Sequence, residues 1–95
     1  MLGEALRLIR VFHDCKTSVL AKEINISPSY ISEIESGKKT PSMEILKKYA
    51  NYFDTTVSAI IFFSEDIEKD KKKPFKTAAR NKLIKFMHII ENATA

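Results

Sequence analysis

The stretch 27–42, S-P-S-Y-I-S-E-I-E-S-G-K-K-T-P-S, reads as one short helix with its punctuation attached. Ser27 is placed to cap it, and Pro28 suits the first helical position, where a missing N–H costs nothing. Ile31 and Ile34 give the helix one apolar side, and Gly37 supplies a left-handed stop. Ser29, Ser32, Glu33 and Ser36 fall on the other side, and their small size lets a helix lie close to a partner. Lys38, Lys39 and Thr40 follow at the exit, and Pro41-Ser42 restarts the chain for another helix. A capped helix with a small polar outer face and lysines just beyond its end suits a DNA groove.

The remainder points to helices as well. Two glycines and three prolines in 95 residues are little material for hairpins. With 44% hydrophobic and 29% charged residues the composition is that of an ordinary soluble domain. Residues 2–14 predict a first helix, with Leu6, Ile9 and Phe12 as its stripe and Leu2 and Ala5 extending it. Residues 17–24 predict a second, capped by Thr17 or Ser18, with Leu20, Ala21 and Ile24 inward. Asn25 tolerates a left-handed turn, so this helix joins the Ser27 helix in a helix-turn-helix arrangement. Ser42 caps a helix over 42–53, with Ile45 or Leu46, then Tyr49, Ala50 and Phe53, on its buried side and Lys47 and Lys48 pointing elsewhere. Thr56 caps a fifth helix to about Phe63, apolar almost all round, which calls for full burial or a partner.

Beyond it the pattern changes. The run S-E-D-I-E-K-D-K-K-K reads as a solvated spacer, and Pro74 marks a break. Residues 75–92 predict a sixth, amphipathic helix whose stripe of Ala79, Leu83, Phe86, Met87 and Ile90 needs a home. The expected organisation is a domain over 1–63, a charged connector over 64–74 and a C-terminal helical segment over 75–95 for dimerisation or partner binding. Residues 64–95 carry eight basic and five acidic side chains, +3 of the formal net charge of +4. That charge permits nucleic acid without demanding it.

Catalysis and cofactors find no support. His13 and Cys15 are two apart, a spacing that does not put side chains face to face on a helix, and His88 is remote. No zinc spacing or phosphate-cradling glycine loop occurs, so no enzyme activity, metal or cofactor is expected. The lone Cys15 fits a reducing cytoplasm, and no apolar run is long enough to span a membrane.

The ordered run L-A-K-E-I, I-S-P-S-Y-I-S-E-I-E-S-G-K-K-T-P-S and I-L-K-K-Y-A-N-Y-F, followed by the short apolar helix, resembles the lambda repressor-like (XRE/Cro-type) helix-turn-helix family over about residues 2–63. The resemblance implies an all-α, five-helix DNA-binding domain, to which the C-terminal amphipathic helix is an addition. It implies a sequence-specific transcriptional regulator, a dimeric repressor on an inverted-repeat operator, in the cytoplasm of a bacterium or encoded by a phage or plasmid. It puts Pro28, Ser29, Ser32 and Glu33 at base-contacting positions, and Thr17, Ser18, Tyr30, Lys38, Lys39 and Thr40 at phosphate-contacting ones. It pairs Arg10 with Glu35 in a structural salt bridge. Glu33 suits a cytosine amino group, or holds a cation such as Lys38. Three positions depart from the pattern: Thr17 replaces a frequent glutamine, Asn25 the usual turn glycine, and Pro28 with Ser29 offers no long amide for reading bases. Ile60, Phe62 and Phe63, with Leu83, Phe86 and Ile90, are the expected dimerisation residues. The alternative is an antitoxin or anti-repressor acting mainly by protein contact through the C-terminal helix, with autoregulatory DNA binding. Double-stranded DNA and a second copy are the expected partners, and a membrane is not.

Overall fold

Five helices follow one another over residues 2–69, the part of the chain that the computed structural model describes. They are α1 Leu2–Phe12, α2 Thr17–Ile24, α3 Pro28–Glu35, α4 Met43–Tyr52 and α5 Val57–Lys69, and no strand occurs among these residues. The boundaries follow local chemistry. The Tyr30 amide donates to Ser27 Oγ (3.1 Å), Ile45 N to Ser42 Oγ (3.2 Å) and Ala59 N to Thr56 Oγ1 (3.0 Å), which caps α3, α4 and α5. Asn25 (φ 58°) and Gly37 (φ 88°) take the left-handed conformations that end α2 and α3. Asp14 (φ 50°) and Asp54 (φ 54°) do the same at the turns after α1 and α4.

The helices wrap one core. α1 packs on α3 and α5, α2 on α3 and α4, and α4 on α5. Leu6, Ile9, Leu20, Ile31, Ile34, Tyr49 and Ile60 are fully enclosed at its centre. Both Ile45 and Leu46 are buried, with Tyr49, Ala50 and Phe53. Gly3 sits where the start of α1 meets the end of α3. A Cβ there would collide with the Ile34 carbonyl oxygen and come within 3.3 Å of the Glu35 oxygen, so only glycine allows this approach.

Several expectations need correction. α1 stops at Phe12, which is 44% exposed, and Leu8 rather than Phe12 joins the stripe. The N-cap of α2 is Lys16, with no side-chain cap, and Thr17 is already helical. Lys48 does not point away: its ammonium donates to the Ile24 carbonyl (3.1 Å), closing the C-terminal end of α2. α5 does not end near Phe63. It runs on to Lys69, because Ile60, Phe63, Ser64 and Ile67 form a continuous buried face beneath charges that stay outside. Ile60 and Phe63 are therefore core residues in this fold (0% and 2% exposed), whereas Phe62 is outward, 46% exposed. Leu83, Phe86 and Ile90, the sixth helix and the end of the connector lie outside the described residues.

Candidate nucleic-acid interface

The outer face of α3 is set by what its inner face grips. Ile31 and Ile34 are buried in the core and Glu35 is 8% exposed beside them. Arg10 Nε shares its one N–H between Glu35 Oε1 and Oε2 (3.1 and 3.0 Å), and Arg10 Nη2 donates to Oε1 (3.0 Å). The Tyr49 hydroxyl donates to Glu35 Oε2 at 3.0 Å, and Arg10 Nη1 donates to the Cys15 carbonyl at 2.9 Å. One carboxylate thus ties α3 to α1 and α4, and Arg10 ties the same unit to Cys15 in the turn before α2. The hydrogen bonds to Glu35 raise the Arg10 pKa further, and burial, reinforced by the Glu35 charge, pushes the Tyr49 phenol far above the ordinary tyrosine range. No buried side-chain N or O among the described residues lacks a partner, so the network is closed.

With its inner face fixed, α3 presents Pro28, Ser29 and Ser32 as exposed residues and Glu33 and Tyr30 as half-buried ones. Thr17 and Ser18 open α2 beside it. Lys16, the N-cap of α2, makes no side-chain hydrogen bond to the first turn. A polar groove joins the two helices, lined by Arg7, Arg10, Thr17, Ser32, Glu35 and Ser36. It brings Arg7 of α1 to the edge of the α3 face. The sequence signal for Arg7 is its spacing of three from Arg10, which puts both on one side of α1.

At the far end of α3 the loop doubles back. The Lys39 amide donates to the Glu33 carbonyl (3.1 Å), as does Ser36 Oγ (3.2 Å). The cation held by Glu33 is Lys39, Nζ to Oε2 3.5 Å, rather than Lys38, and the same Nζ lies 5.3 Å from the centre of the Tyr30 ring. Lys38 and Thr40 are exposed on the loop.

A helix-turn-helix family model matches residues 6–60, from α1 into α5 and more than half of the chain. The chain belongs to the lambda repressor-like (XRE/Cro-type) helix-turn-helix family. This is a family of DNA-binding regulators rather than enzymes, and its helix-turn-helix corresponds to α2 and α3 here. An uncharacterized HTH-type transcriptional regulator of Archaeoglobus fulgidus is 47% identical over 47 residues, half of this chain and 20% of that protein. Another, from Methanocaldococcus jannaschii, is 31% identical over 61 residues, 64% of this chain and 92% of that protein. The chain thus spans a fifth of one relative and nearly all of the other. Both are archaeal, so they lend no support to a bacterial, phage or plasmid setting. No solved structure matches. Among the described residues no helix is long and apolar enough to cross a membrane, and no group of three or more His, Cys, Asp or Glu could hold a metal ion.

Proposed function

We propose that this helix-turn-helix protein is a sequence-specific regulator of transcription that lays α3 in the major groove of double-stranded DNA. The observation that carries the reading is the two-sidedness of α3. Its inner side is locked by Ile31, Ile34 and the Arg10–Glu35–Tyr49 network, while its outer side carries small polar groups. A rigid helix bearing Ser29 and Ser32 can approach base edges closely, and the short side chains limit how far it reaches. Pro28 brings no donor and acts by apolar contact. Thr17, Ser18, Tyr30, Lys38 and Thr40 surround this face and take phosphates, with Arg7 added from the groove on the α1 side.

Regulation follows from occupancy. A dimer places two α3 helices about 34–36 Å apart on one face of the duplex, which requires an inverted repeat. Bound at a promoter, it represses by exclusion. Selection of binding sites from random DNA at fixed near-physiological salt tests this. An inverted repeat with half-sites one helical turn apart supports it, and retention without consensus, lost as salt rises, refutes it.

A further inference from the structure

We propose that Lys39 is a positioning residue for base reading, holding the Glu33 carboxylate neutralised and aimed from the edge of α3 so that it can enter the groove and accept from a cytosine amino group. The proposal rests on the DNA-binding reading above and concerns how that site achieves specificity. A carboxylate on a groove-facing helix is repelled by the phosphates on either side, so it needs a fixed counter-charge that travels with it. The structure provides one. The Lys39 backbone is fastened to Glu33 through its amide at 3.1 Å, beside the left-handed Gly37. Its ammonium lies 3.5 Å from Glu33 Oε2 and 5.3 Å from the Tyr30 ring centre, so carboxylate and ring draw it to one position. Tyr30 is itself anchored, its amide capped by Ser27 Oγ. Lys39 is thereby engaged along the helix edge, whereas its neighbour Lys38 stands on the exposed loop. Two adjacent lysines acquire different tasks: Lys38 meets phosphate and contributes affinity, and Lys39 serves Glu33 and contributes specificity.

The test compares binding-site selection and affinities for wild type, Lys39→Ala, Lys39→Arg, Lys38→Ala, Glu33→Gln and the Glu33→Gln/Lys39→Ala pair. Discrimination for cytosine at one position of each half-site falls about tenfold in Lys39→Ala. It falls equally in Glu33→Gln and no further in the pair, and Lys39→Arg retains it. Lys38→Ala weakens every sequence alike and leaves the consensus intact. Thermal melts of the lysine variants match wild type, because the Lys39 and Glu33 side chains are 50% and 39% exposed and loss of the pair leaves no enclosed charge. Uniform weakening by Lys39→Ala with an unchanged consensus overturns the proposal while the DNA-binding reading stands. So does a consensus that Glu33→Gln leaves intact. A wild-type protein that selects no sequence overturns both.

Discussion

Removing one partner of the Arg10–Glu35–Tyr49 network should cost far more than an ordinary surface substitution. Side-chain exposure is 14% for Arg10 and 6% for Glu35, so the carboxylate is enclosed and the guanidinium nearly so. In Arg10→Met the carboxylate loses the hydrogen bonds from guanidinium Nε and Nη2 and keeps the Tyr49 hydroxyl. Breaking a fully buried pair on one side costs roughly 3–5 kcal/mol, and the residual exposure of Arg10 places this case near the lower end, about 3 kcal/mol. In a domain of this size roughly 4–8 °C of melting temperature is lost per kcal/mol, so the midpoint should drop by about 12–24 °C. The Arg10→Met/Glu35→Leu pair removes both charges together. It should recover most of the loss, although it leaves the Tyr49 hydroxyl without its acceptor. Urea unfolding followed by circular dichroism gives the three free energies and their non-additivity. A single variant losing less than about 1 kcal/mol, or a pair whose losses simply add, would refute the view that one buried carboxylate ties α1, α3 and α4 together.

Gly3→Ala should destabilise by about 1–3 kcal/mol in the same assay, because its Cβ meets the carbonyl backbone of α3 and not a movable side chain. Stability should fall as pH rises past the ordinary tyrosine value of about 10, since folded Tyr49 keeps a proton that the unfolded chain has lost. The advantage of wild type over Tyr49→Phe should shrink in that window; an advantage that stays constant in alkaline urea titrations contradicts the burial argument. Arg7→Ala and Lys38→Ala should each make the slope of log K against log salt shallower by about 0.9 without altering the consensus, and unchanged slopes would remove both residues from the interface.

What the sequence made legible was local. Ser27, Ser42 and Thr56 cap their helices, and Asn25 and Gly37 turn left-handed, because each effect involves residues within one turn of chain. The buried positions of α2, α3 and α4 follow helical spacing for the same reason. Arg10–Glu35 is a different case. Nothing at a separation of 25 residues announces a pair, and only the family resemblance suggested it. Even so, Tyr49 as third member became visible only once α4 was docked. Gly3 was illegible because its constraint comes from the carbonyls of another helix. The end of α5 was obscured by composition: the acidic and basic residues of 65–69 read as a spacer, yet Ile67 follows Phe63 by one turn and keeps the helix on the core. The burial of Ile60 and Phe63 could not be told from composition on an all-apolar helix; it comes from α1 and α4 packing on α5.

The proposed function stands on contact between the outer face of α3 and DNA. The most direct measurement is amide chemical-shift perturbation on titrating the protein with its selected duplex. Changes concentrated at Thr17 and Ser18, along Ser29–Glu33 and at Lys38–Thr40 are the predicted result. Changes concentrated instead around Phe12 and Tyr52, with α3 unmoved, would contradict it.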